Sequence, residues 1–126
     1  MVSWNNLDTL SSFKELSNVK PACLTEVMSG DNGAERVKNY SVPMAAGLSY
    51  NYASKQVNEN VLAALEKLAD EAQLADKFKA LYNGEVVNTG EKRLVLHHMT
   101  RGQLGDAVEA DGVDKRTFYK TQQERI

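Results

Sequence analysis

The chain has 126 residues, 42% of them hydrophobic and 25% charged, with a formal net charge of −2. A chain of this length buries roughly two thirds of its unfolded surface, which suits one soluble domain over residues 1–126 and leaves no room for a large two-domain catalytic cleft. The single Cys23 excludes an internal disulfide and a zinc site on paired cysteines, and Lys+Arg 15 against Asp+Glu 17 gives no basic excess to imply nucleic acid.

No apolar run approaches the roughly 18–20 residues of a membrane span. The start, Met1-Val2-Ser3-Trp4-Asn5-Asn6, has neither a basic nor an apolar signal region. The expected compartment is the cytoplasm, with no membrane and no nucleic-acid partner. Asn39-Tyr40-Ser41 matches a glycosylation triplet, which has no meaning without secretion.

Trp4, Leu7, Leu10, Phe13 and Leu16 recur in steps of three, which predicts a helix over 4–16 with Ser3 as N-cap. Pro21 suits a first helical turn and opens a short helix to about Met28. Ser29-Gly30-Asp31-Asn32-Gly33 reads as a break, followed by a helix from Ala34 to Asn39. Leu48, Tyr50 and Tyr52 alternate with Ser49 and Asn51, the period of a strand. A small hairpin is expected at about 40–52, Tyr40–Val42 with Leu48–Tyr52. Pro43 cannot donate to a ladder, so the partner strand is short or at an edge.

Asn58 caps the clearest helix, whose stripe is Val61, Leu62, Leu65, Leu68, Ala69 and Ala72. A second stripe, Leu74, Phe78, Leu81 and Tyr82, stops at Asn83-Gly84. Val86-Val87 is too short to assign. Thr89 is read as the N-cap of a helix carrying Leu94, Val95, Leu96 and Met99 and ending at Gly102. Gly105 and Gly112 flank a loop. Asp114 caps a last helix with Phe118 and Tyr119, and no Gly, Asn or Pro closes it before Ile126.

Few residues suggest chemistry. His97 and His98 are neighbours, about 100° apart on a helix, and cannot chelate one metal as an i, i+4 pair would. The expected arrangement is one packed and one solvated histidine. Cys23, between Ala22 and Leu24, reads as a packed structural residue rather than a nucleophile. No phosphate-binding glycine pattern is present, and Gly102-Gln103-Leu104-Gly105 reads as a helix stop plus turn. Lys92, Arg93 and Arg101 form a basic cluster that could line one side of a helix, although a solvated face is the ordinary use of such charges. The carboxylates in 59–76 lie on the polar face of an amphipathic helix.

The stretch Asn83–Arg101 resembles a signature of the glucose-6-phosphate isomerase (phosphoglucose isomerase) family, G-E-x-[IV]-N-x-T-E-x-R-x-V-L-H-x-x-x-R. Gly84-Glu85, Asn88, Glu91, Arg93, Val95-Leu96-His97 and Arg101 match. Thr89 departs: the family places threonine directly before the glutamate, where this chain has Gly90. Residues 40–55 look like the family's hairpin ending in D-Y-S-K-N, with Asn51-Tyr52 in place of Asp-Tyr, and Val57-Asn58-Glu59-Asn60-Val61 matches its V-T-E-x-V helix start. The resemblance covers about residues 34–101.

The resemblance implies a mainly α N-terminal segment with one small β-hairpin, normally packed on two α/β sugar-isomerase domains absent here. It implies a cofactor-free enzyme of glycolysis and gluconeogenesis that interconverts glucose 6-phosphate and fructose 6-phosphate. In that reaction a glutamate moves a proton between C2 and C1, histidine and lysine assist ring opening, and the enzyme is a homodimer. General acid–base groups must lie within hydrogen-bond reach of substrate. No catalytic residue and no cofactor or metal ligand is therefore carried over to this chain, which is expected to be inactive alone. Arg101 is the one substrate-proximal candidate, and His97 is expected to be structural. The chain is expected to expose apolar surface that the sugar-isomerase domains would cover. The alternative is a free-standing helical interaction or regulatory module, with 90–101 and 114–126 in a helix-turn-helix outline.

Overall fold

The computed structural model describes residues 2–102 and 105–126. They are mainly helical, with three two-stranded antiparallel sheets, and divide into two units, residues 10–68 and residues 2–9 with 69–126.

The unit of residues 10–68 begins with α1 (Ser11–Asn18), α2 (Leu24–Val27) and α3 (Gly30–Asn39). α2 starts three residues after Pro21, because Ala22 N–H is committed to the Gln56 carbonyl at 3.1 Å and Cys23 is extended. The expected break at 29–33 is narrower than its composition suggests. Gly33 lies inside α3 on the Met28 carbonyl, where a Cβ would come within 2.5 Å of the oxygen. Its glycine permits close approach rather than ending a helix.

The expected hairpin is present as β1 (Ser41–Pro43) and β2 (Ser49–Asn51), paired Ser41 with Asn51, Val42 with Tyr50 and Pro43 with Ser49. A turn at Ala45–Gly47 joins them, with Ala46 and Gly47 in left-handed conformation. Asn58 caps α4 (Glu59–Glu71) as expected, its Oδ1 accepting the Val61 N–H at 3.0 Å.

Ala22, Ala53, Val61 and Ala64 make the apolar core of this unit, with Arg36 buried among them at 7% exposure. The Arg36 guanidinium donates to the carbonyls of Ala53 (2.8 Å), Lys55 (3.0 Å) and Val57 (2.8 Å) and lies 4.0 Å from the Tyr40 ring centroid. One side chain thereby fixes the segment between β2 and α4.

In the other unit, the helix expected over 4–16 is replaced at its start by a 3₁₀ turn, Leu7–Thr9. The Thr9 hydroxyl and N–H both donate to the Asn6 carbonyl, a local bond that competes with helix propagation. Ser3 N–H donates to Gln73 Oε1 at 2.8 Å. α5 (Leu74–Tyr82) ends at Asn83, with Gly84 at φ +73°. Buried residues here are Ala72, Ala80, Met99, Val108 and Arg116.

Residues 90–101 do not form the expected helix. Val86–Asn88 is β3 and Arg93–Leu94 is β4, antiparallel with a register shift, followed by a 3₁₀ turn at His97–Arg101. Asn88 Oδ1 accepts the Glu91 N–H at 3.1 Å, and Asn88 Nδ2 donates to Glu91 Oε2 at 3.4 Å. This is helix-cap chemistry closing a hairpin turn. Thr89 caps nothing.

In place of a plain loop flanked by Gly105 and Gly112, a third hairpin forms across Gly112, β5 (Glu109–Ala110) with β6 (Val113–Asp114). Its two-residue turn is Asp111-Gly112, with φ +54° and +73°, the backbone of a type I′ turn. α6 (Lys115–Gln123) follows, capped by Asp114 as expected.

Candidate functional site

The stretch 83–101 is the natural candidate, because the resemblance to a known enzyme rests on it. Gly84 turns the chain out of α5, and Val108 packs where a Cβ at residue 84 would lie. Glu85 N–H bonds the Ala80 carbonyl at 2.9 Å, which fixes the entry into β3.

Met99 is fully buried and anchors the 3₁₀ turn. His98 is half-buried, with its ring stacked on Tyr82 at 4.7 Å and both ring nitrogens without a hydrogen-bond partner. His97 is exposed, and its carbonyl accepts the Thr100 hydroxyl at 2.8 Å. One histidine packs and the other is solvated, as expected, but the packed one is His98. The turn is 3₁₀ rather than α-helical.

Arg101 closes the same turn. It is exposed and forms no ion pair among the described residues. Lys92 and Arg93 do not share a helix face with it. Lys92 stands on the β3–β4 turn at φ +53°, and Arg93 opens β4 with a loose ion pair to Glu91 at 3.8 Å. The helix-turn-helix outline loses its first helix with the same finding.

Sequence reasoning missed Arg116. It is 4% exposed and donates to the carbonyls of Asp106 and Tyr82, and it lies 5.4 Å from the Tyr82 ring centroid. Asp114 beside it accepts N–H bonds from Val108, Arg116 and Thr117. The Thr117 hydroxyl is the largest cause holding the Asp114 carboxyl below its ordinary value of 3.8, and the backbone donors add to it against desolvation. Asp114 was legible as a helix cap, whereas the remote carbonyl partners of Arg116 left no local signal.

Cys23 is exposed rather than packed, because it precedes α2 in extended conformation. It shares a shallow groove with Lys20, Glu26 and Asn58, and no histidine lines that groove. Of the α4 carboxylates, Glu59 accepts the Tyr40 hydroxyl at 3.1 Å. Among the described residues no three His, Cys, Asp or Glu side chains gather as a metal would need. No helix among them is long and apolar enough to cross a membrane.

The surface carries large apolar side chains. Leu74 and Phe78 on α5 are 60% and 61% exposed, and Met44 and Leu48 at the β1–β2 turn are 57% and 66% exposed.

A family model described as Phosphoglucose isomerase matches residues 51–126, which include the whole 83–101 stretch. The Glucose-6-phosphate isomerase of Treponema denticola is 44% identical over 133 aligned positions, taking in 99% of this chain and 25% of that protein. The protein of the same name from Borreliella afzelii is 42% identical over 128 positions, with 100% of this chain and 23% of the relative covered. That of Treponema pallidum (strain Nichols) is 42% identical over 129, covering 99% and 24%. The chain spans about a quarter of the length of these relatives. With the matched stretch and more than half of the chain under the family model, this chain belongs to the phosphoglucose isomerase family.

Proposed function

We propose that these 126 residues act as the N-terminal portion of a glucose-6-phosphate isomerase, interconverting glucose 6-phosphate and fructose 6-phosphate by acid–base aldose–ketose isomerisation without a cofactor. The observation that carries this reading is the 44% identity across nearly the whole chain to one quarter of an enzyme of that name. The reaction needs a base that removes a proton at C2 and returns it at C1, held within hydrogen-bond reach of the open-chain sugar. In this reading that base comes from outside these 126 residues. The Asp114 carboxyl is held below its ordinary value by the Thr117 hydroxyl and backbone donors, as suits a helix cap rather than a proton acceptor.

In this reading the chain supplies scaffold. Its exposed apolar groups, Leu74 and Phe78 among them, pack on α/β sugar-isomerase domains, and the assembled enzyme is a cytoplasmic homodimer. Arg101, exposed and unpaired among the described residues, lends positive potential beside the site where the sugar phosphate binds. Replacing the matching quarter of the Treponema denticola enzyme with this chain tests the proposal. The expected chimera is soluble and interconverts the two sugar phosphates. A chimera that folds and assembles like its parent but shows no turnover would overturn it.

A further inference from the structure

Three cations meet at one groove that the isomerase reading does not use. It measures about 350 Å³ and lies between the β3–β4 turn and the β5–β6 hairpin, all within one unit of the fold. Lys92, Arg93 and Lys115 line it, over an apolar floor of Leu94, Leu96 and Ala110. Lys92 makes no ion pair among the described residues, and Arg93 is only loosely paired, its side chain 77% exposed. Lys115 is held in place. Its side chain is 22% exposed, its N–H bonds the Val108 carbonyl at 2.8 Å, and its ammonium meets Asp111 Oδ2 at 3.2 Å.

Both hairpin turns fix these groups. Lys92 occupies a left-handed conformation behind the Asn88–Glu91 bonds, and Asp111 a left-handed one in the Asp-Gly turn. The turn geometry sets where the backbones of these two residues stand at the groove. Like charges on neighbouring elements repel, and a bound anion relieves that repulsion. Glu91 and Asp111 neutralise part of the charge from the rim, their side chains 64% and 90% exposed.

We propose that this groove binds a phosphomonoester on a small organic body. The phosphate accepts from the Arg93 fork and from the Lys92 and Lys115 ammonium groups, while the body lies on Leu94 and Leu96. The volume fits a small molecule, about 300–1,000 Å³ being usual for such sites. The chain's net charge of −2 disfavours a nucleic-acid polymer.

The test is titration of the ¹⁵N-labelled full chain, followed by amide shifts, with inorganic phosphate, phenyl phosphate and sodium chloride at matched ionic strength. Both phosphates are expected to shift residues 92–96 and 110–115 in a saturable way, phenyl phosphate at several-fold lower concentration because it covers the apolar floor. Chloride is expected to leave them in place. The variant carrying Lys92→Gln and Arg93→Gln, both exposed positions, is expected to keep the spectrum of a folded chain and bind at least tenfold more weakly. Equal shifts with chloride, shifts outside the groove, or unchanged affinity in that variant would overturn the proposal. If the variant spectrum collapses, Lys115→Gln supplies the same comparison.

Discussion

Replacing Arg36 by methionine tests whether a buried cation, rather than the small apolar core around it, holds the segment between β2 and α4. The guanidinium makes three hydrogen bonds of 2.8–3.0 Å to main-chain carbonyls and stacks on Tyr40. Ala53 is 2% exposed, so its carbonyl would lose its donor in a dry place, at a cost of about 1–3 kcal/mol. Lys55 is exposed and Val57 half-buried, so water would replace much of their two bonds, leaving about 0.5–1 kcal/mol each. Loss of the Tyr40 contact adds about 0.5–1 kcal/mol, and relief of the buried charge's desolvation offsets part of the total. The net expectation is a loss of about 2–4 kcal/mol, a large share of the roughly 5–15 kcal/mol that holds a domain together. In a urea titration with a slope of about 1–2 kcal/mol per molar, the midpoint should fall by about 2 M. Amide exchange at residues 53–57 should quicken more than exchange in α6. Arg36→Lys keeps the charge, reaches fewer carbonyls, and should recover less than half of the loss. A midpoint shift below about 0.3 M for Arg36→Met, with protection at 53–57 unchanged, would refute the reasoning.

Gly84→Ala forces a side chain into left-handed backbone and onto Val108, so a loss of about 2–4 kcal/mol is expected in a thermal or urea melt. Gly112→Ala disturbs only the turn geometry and should cost about 1 kcal/mol, with loss of the Ala110–Val113 pairing visible by NMR. Asp114→Ala removes the cap of α6, and its signature is in the pH dependence. The folded carboxyl titrates below its ordinary 3.8, so its contribution is complete above that value and disappears as pH falls through the folded value. Stability curves of the parent and the variant should therefore differ at pH 6 and converge as the medium becomes strongly acidic. A constant gap down to pH 2 would contradict this.

Much of the fold was legible because the relevant signals are local. Asn58 before an apolar stripe, Asp114 before α6 and the Leu48–Tyr52 alternation each needed only a few neighbouring residues, and each is found where expected. At 90–101 the expected cap was one residue off: Thr89 caps nothing, and the cap-like bonds belong to Asn88. Asn88 and Glu91 make cap-like bonds, but those bonds close a four-residue turn, and the chain re-enters a strand at Arg93–Leu94. Asp111-Gly112 carried a strong hairpin signal that the flanking glycines obscured. The buried arginines were illegible for another reason. Arg36 and Arg116 satisfy carbonyls 10–34 positions away, and no periodicity reports such a partner. The grouping of Lys92 and Arg93 with Lys115 shares that limit, because it depends on two hairpins folding beside each other.

The most direct test of the account is an isomerase assay on the purified 126-residue chain, with fructose 6-phosphate as substrate and glucose 6-phosphate formation read through a coupled dehydrogenase. A scaffold that lacks its own proton-transferring base should give no turnover above a heat-killed control at any chain concentration. Turnover that rises in proportion to the amount of folded chain, and disappears on heating, would contradict the account.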